Sequence, residues 1–252
     1  MQWYSRGRSL INPKHFALKE LGFLKLGVIV FIKRVYEWMR TTAGDVTIEK
    51  HDLGARSFFA IRDGLGVFHS YFGAPASVLL AEALIISGVK GLVSGVKRLV
   101  VFGEAGAIHP KMRIGDILIP TFAVREEGTS YHYLPYGVSA GPSQKLLRKL
   151  KYLLDKTGFT YEEGGIWTTD APLRETRQKV LTYGGLGVLA VDMECSALFA
   201  VSKYRRVECV AMLTISDELY GRVWKQGFDS EKLIDVEKKL VDVLMGNWHG
   251  LL

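Results

Sequence analysis

The sequence predicts a single α/β domain over residues 1–252, with helices on both faces of a sheet. Three observations predict it. Apolar runs of strand length alternate with segments of helical length, the pattern of a sheet covered by helices. No Pro/Gly/Ser-rich linker and no internal repeat interrupts the alternation, so one unit is expected. The 252 residues suffice for a sizeable core, and 48% hydrophobic with 23% charged residues is the balance of a globular chain.

Residues 1–50 carry the weakest pattern, yet residues 28–32 form an apolar run of strand length and residues 33–39 a helix start. Residues 57–62 and 65–71 flank Asp63-Gly64, a pair that favours a hairpin because glycine accepts a positive φ. Residues 74–87 form a helix, with Leu79, Leu80, Ala83 and Leu84 at helical spacing and Gly88 as its stop. Residues 99–102 form a buried strand that ends in a turn, Gly103-Glu104-Ala105-Gly106. A strand at 116–120, a polar aromatic loop at 125–135 and an amphipathic helix at 143–157 follow. Residues 165–169 form a strand leading to Asp170, and residues 174–181 a short helix. Residues 187–191 form a strand, after which Glu194 opens a helix with Ala197, Val201 and Tyr204 at helical spacing. Residues 207–215 form a buried strand with Ser216-Asp217 just beyond it, and the last helix spans 230–244.

Composition excludes several function classes. The net charge is +7, but no dense Lys/Arg run or interleaved aromatic stripe accompanies it. Lys145, Arg148, Lys149, Lys151 and Lys156 read as the solvated face of one helix, so no nucleic-acid partner is expected. The apolar run at 26–32 is too short to span a bilayer, which needs about 20 residues, and no signal-peptide pattern surrounds it. Cys195 and Cys209 lack disulfide or metal-ligand spacing, and the six histidines are scattered. A reducing cytoplasm, no metal and no membrane association are expected.

Candidate chemistry concentrates where apolar runs stop. Glu194 and Asp217 each follow a strand, and strand-end rims of α/β sheets are where ligands bind. A carboxylate such as Glu194 accepts two hydroxyl hydrogen bonds in a fork, which suits vicinal hydroxyls. Asp217 reads as a general acid or a turn cap. Gly73-Ala74-Pro75-Ala76-Ser77 reads as a helix N-terminus open to an anion or as ordinary helix-start chemistry. The Gly103–Gly106 turn lets a ligand approach the backbone, although Glu104 would repel phosphate. His132, among the hydroxyls and rings of residues 128–133, is a candidate pocket residue.

At these residues the chain resembles the nucleoside phosphorylase family, which includes bacterial purine nucleoside phosphorylase, uridine phosphorylase and methylthioadenosine nucleosidase. The resemblance covers about residues 64–217 and is most specific at Val191-Asp192-Met193-Glu194 and Ser216-Asp217. Phe72-Gly73-Ala74-Pro75-Ala76-Ser77 and Gly103-Glu104-Ala105-Gly106-Ala107-Ile108-His109-Pro110 with Gly115-Asp116-Ile117 add to it, and residues 124–133 are similar to the uridine branch. The resemblance implies a three-layer αβα sandwich with a central mixed β-sheet, assembled as a dimer or hexamer. It implies ribose on Met193 and Glu194, a base beside Arg177, Ser216 and Asp217, and protonation of a purine N7 by Asp217. Arg34, Gly103 and Glu104 fall on the nucleophile side, and a neighbouring subunit's site would receive Arg56 or His15. The implied reaction is phosphorolysis of a purine nucleoside or uridine to free base and ribose 1-phosphate, in nucleoside salvage or catabolism. Inorganic phosphate is the co-substrate and no cofactor is needed.

The chain departs from that pattern in four places. Val101 stands where the family usually has a phosphate-binding Arg, and Glu104 where it has Ser or Thr. Val30-Phe31-Ile32 replaces a Gly-Asp-Pro turn, and Pro172 falls near the usual base-stacking aromatic. These departures bring in two alternatives: a phosphate-independent nucleosidase on the same scaffold, and a nucleoside-binding homologue without turnover.

Overall fold

The computed structural model describes residues 4–5, 9–11, 15, 19–51, 57–61, 63–87 and 95–252. Arg56, Arg62 and Gly88 lie outside the described residues, and with them the expectations placed there. The described elements run β1 (Leu26–Val30), α1 (Lys33–Thr42), β2 (Ile48–His51), β3 (Ser57–Ala60), β4 (Leu65–His69), α2 (Ala74–Ile86), β5 (Arg98–Ala107), β6 (Ile117–Glu126) and α3 (Ser130–Tyr133). They continue with α4 (Gln144–Lys156), β7 (Glu162–Thr169), α5 (Arg177–Gly184), β8 (Val188–Asp192), α6 (Cys195–Arg205), β9 (Glu208–Glu218), β10 (Lys225–Gln226) and α7 (Glu231–Asn247).

The sandwich follows from strands that are apolar on both faces. Along β5, Leu99 and Val101 join one core with Leu80 and Leu84 of α2 and Leu198 and Val201 of α6. Val100 and Phe102 point the other way, into a core with Val35 and Met39 of α1, Leu146 and Leu150 of α4, and Leu240 and Leu244 of α7. β1 and β9 divide their side chains in the same way, as the two-residue period of a strand requires. Continuous apolar runs therefore mean helices above and below the sheet. Each such Leu or Val contributes about 1.5–3 kcal/mol when fully buried.

The sheet is mixed, in the order β10-β9-β6-β7-β8-β5-β1-β4-β3-β2. β9 pairs with β5 as well, so β5, β9, β6, β7 and β8 close into a ring, and β1, β4, β3 and β2 extend from β5 as an open wing. The expected hairpin forms between β3 and β4, in antiparallel register. β2, which the sequence reading missed, is an edge strand of polar composition paired with β3 alone.

Three boundaries correct the sequence reading. The segment Gly103-Glu104-Ala105-Gly106 is not a turn after a strand: β5 continues through it to Ala107. A Cβ on Gly106 would lie 2.4 Å from Leu219 Cδ1 and 3.0 Å from Asp217 Oδ2, so glycine serves close approach there rather than chain reversal. Asp217 likewise lies within β9, opposite Gln226 of β10. The region 125–135 is not one loop: β6 reaches Glu126 and α3 follows. The Arg125 guanidinium organises it, donating to Ser130 Oγ at 2.9 Å and to the carbonyls of Leu134, Pro135 and Val138 at 2.7–2.9 Å.

Candidate active site

A bulge places the first acid. In the parallel β5–β9 ladder Ala105 opposes Ile215 but Gly106 opposes Asp217, which leaves Ser216 as an extra residue. An inserted residue shifts the alternation of side chains beyond it and re-aims them. Asp217 then lines a cavity instead of continuing the core face. The Ser216 hydroxyl donates to its Oδ1 at 2.7 Å, and the Trp224 indole N–H donates to its Oδ2 at 2.7 Å.

The second acid sits at the junction of β8 and α6. Glu194 is the N-cap residue of α6, but its side chain makes no capping bond. Its neighbours take that task. Asp192 Oδ2 accepts from Cys195 N at 2.8 Å, and Thr168 Oγ1 accepts from Ser196 N at 2.9 Å while donating to Asp192 Oδ1 at 2.6 Å. The Glu194 carboxyl therefore remains available to a ligand, held from one side by Gly73 N–H, which donates to Oε1 at 2.6 Å. Gly73 has φ 96°, a conformation that favours glycine, and it precedes the first residue of α2. Burial, with the Asp192 charge next in weight, pushes Glu194 up to about 8.

The third group assembles across the molecule. Glu104 Oε1 on β5 accepts from Arg34 Nη2 of α1 at 2.5 Å. Arg34 Nε donates to Glu237 Oε2 of α7 at 2.7 Å, and Glu237 is fully buried. The Thr214 hydroxyl donates to the other Glu237 oxygen at 3.1 Å. One guanidinium thus serves two carboxylates. Burial, and then the Glu237 charge, push Glu104 up to about 8, against the pull of Arg34.

These groups share one cavity of about 620 Å³, within the range of small-molecule sites. Met193, Glu194, Ser216, Asp217 and Glu104 all line it, so five sequence-predicted residues come together. Three do not line it. Arg34 stands behind Glu104, and Gly103 is packed between Phe31 and Leu213. Arg177 instead donates to the carbonyls of Tyr220 at 2.5 Å and Gly221 at 2.7 Å. Val101 is a core residue, whereas Pro172, Phe31 and Ile32 reach the cavity. His132 lines a neighbouring groove with Tyr133 and Asp170 instead.

Sequence reasoning missed Glu175, Trp224 and Phe228, which also line the cavity. Glu175 precedes α5, and burial followed by the Asp217 charge pushes its carboxyl up to about 7. Trp224 arrives through the β9–β10 hairpin, a reversal that no sequence signal marked. Among the described residues, no three His, Cys, Asp or Glu side chains converge as a metal site. No described helix is long and apolar enough to cross a membrane.

The family model described as "Phosphorylase superfamily" matches residues 26–244. Purine nucleoside phosphorylases of the DeoD type from Bacillus thuringiensis and Bacillus cytotoxicus are each 28% identical over 180 residues, covering 70% of this chain and 74% of theirs. Among solved structures, purine nucleoside phosphorylase from Toxoplasma gondii in complex with immucillin-H superposes with TM-score 0.75 at 17% identity over 90% of both chains. AMP nucleosidase from Bacteroides thetaiotaomicron superposes with TM-score 0.66 at 20% identity, over 90% of this chain and 91% of its own. At these identities the two structures speak to the fold alone.

Proposed function

The chain belongs to the phosphorylase superfamily, and from that premise we propose that it cleaves the N-ribosidic bond of a purine nucleoside. The observation that carries this reading is the convergence of Met193, Glu194 and Asp217, from two separate chain segments, on one cavity. Glu194 accepts the 2′ and 3′ hydroxyls. Asp217 gives its proton to purine N7 as the C1′–N9 electron pair leaves with the base. A positioned acid of this kind is worth roughly 10²–10⁴ in rate. Asp217 at the base end supports a purine over uridine, and Arg177, bonded to hairpin carbonyls, adds no base contact that would favour uridine.

The acceptor we propose is water. Its oxygen bonds to C1′ and its proton passes to the ionised form of Glu104, giving free ribose and free base, so this route gains rate as pH rises toward about 8. Arg34 is already engaged by Glu104 and Glu237, which leaves Lys33 as the cation lining the cavity among the described residues, and a phosphate dianion would meet the Glu104 carboxylate. Phosphorolysis is the second reading. It is favoured by Glu104 being pushed up to about 8, which makes it neutral through much of the neutral range and less repulsive to phosphate. Inosine, guanosine, adenosine and uridine assayed with and without phosphate test both. Base and free ribose without phosphate support hydrolysis, and ribose 1-phosphate formed only with phosphate supports phosphorolysis. Release of no base from any nucleoside overturns the reading. Homo-oligomerisation belongs to the same proposal, and light scattering in solution checks it.

A further inference from the structure

The segment joining β9 to β10 is tied down at both ends of its turn. Arg177, at the start of α5, donates to the carbonyls of Tyr220 and Gly221 at the tip. The Arg113 guanidinium meets the Tyr220 hydroxyl, which donates to Glu218 Oε2 at 2.6 Å. Lys225 Nζ reaches Glu218 Oε1 at 3.1 Å from the returning strand. The reversal delivers Trp224 to the cavity, where its N–H is spent on Asp217 and the residue stays 54% exposed. Phe228 packs edge-on against that ring at 6.3 Å, and Pro172 and Leu173 line the same cavity. An indole with its edge committed and its face open is a surface for a flat aromatic ring.

We propose that Trp224 is both the stacking wall for the departing base and the positioning residue for Asp217, and that Arg177 acts on the site only by anchoring the hairpin that carries Trp224. One ring then sets the plane of the base and the oxygen that faces it. The role given to Arg177 replaces the direct base contact expected from sequence.

The kinetic part of this proposal rests on the ribosyl-cleavage reading; the binding part does not. Titratable groups of other elements that line the cavity with Asp217 are Glu175 before α5, Glu194 and Asp192 at the β8–α6 junction, Glu104 on β5, His69 of β4 and Lys33 of α1. Glu218, its neighbour on β9, is engaged by Tyr220 and Lys225. Trp224→Phe keeps a ring for stacking but offers no N–H to Asp217 Oδ2, so it should lower kcat about tenfold with KM nearly unchanged. Arg177→Gln should lower kcat in the same direction with KM nearly unchanged. A rise in KM with kcat unchanged means that Arg177 touches the base, which overturns its role.

Binding is read separately by titrating hypoxanthine and following tryptophan fluorescence. Of the tryptophans among the described residues, only Trp224 lines the cavity. Quenching in the wild type that is lost in Trp224→Phe is expected. Absence of quenching in the wild type, or its persistence in Trp224→Phe, overturns the stacking wall whatever the turnover. Base release by the wild type with an unchanged kcat in Trp224→Phe overturns the positioning role and leaves the proposed function standing.

Discussion

The two ends of the cavity are held by different kinds of structure. At one end Asp217 has short-range support from Ser216 and from Trp224 seven residues on, while Glu194, whose capping task Asp192 takes, is held by Gly73 across 121 residues. At the other end, Glu104 meets Arg34 across 70 residues, and Arg34 meets Glu237 across 203. A site whose supports are local keeps its chemistry when distant elements change. A site assembled from β5, α1 and α7 inherits its charge balance from all three, so one substitution in any of them resets it.

Four measurements break or sharpen that contrast. Asp217→Asn should lower base release by roughly 10²–10⁴ while the melting temperature stays within a few degrees, because an amide oxygen still accepts one of its two bonds. A loss below tenfold would remove the general-acid role. Glu194→Gln should lower kcat/KM by about 10–100-fold, the worth of a charged acceptor facing hydroxyl donors. In the wild type, a Glu194 pushed up to about 8 must give up its proton to accept both hydroxyls. Nucleoside affinity should therefore fall as pH drops below 8, by at most tenfold per unit, with proton release measurable by calorimetry in buffers of different ionisation enthalpy.

Glu104→Thr frees Arg34 from one carboxylate. Phosphate should then stimulate base release about tenfold or more, and ribose 1-phosphate should appear among the products. Continued indifference to phosphate would show that the long-range assembly does not choose the acceptor. The smallest effect concerns stability. Glu104 rises from the ordinary glutamate range near 4.3 to about 8 on folding, so the folded chain binds the extra proton between those values. Unfolding free energy must fall as pH rises through that window. Melts at pH 6 and pH 9 should show a decline that Glu104→Gln reduces by about 1 kcal/mol, or a few degrees.

The same contrast governs what the sequence discloses. β1, β5, β8 and β9 were legible because strands covered on both faces must be apolar throughout. Glu194 and Asp217 were legible because each interrupts such a run. Gly103 to Gly106 misled, since glycine marks turns and close approaches alike and only the packing of Leu219 and Asp217 on Gly106 tells them apart. The start of α5 slipped from residue 174 to Arg177 because Pro172–Arg174 forms a separate short turn. Ser216 as a bulge, Trp224 as an Asp217 partner, and the Arg34–Glu104–Glu237 assembly were not legible. Each depends on which residue lies opposite which across the sheet or between layers, and no local pattern encodes that.

In the parallel ladder Glu104 opposes Thr214 and Gly106 opposes Asp217, so backbone hydrogen bonds fix the interval between positions 104 and 217. Position 104 is a socket at a set distance from Asp217. On the proposed function, the reaction class is then an interchangeable part, open to exchange by a single step at that socket while Asp217 and its partners stay in place.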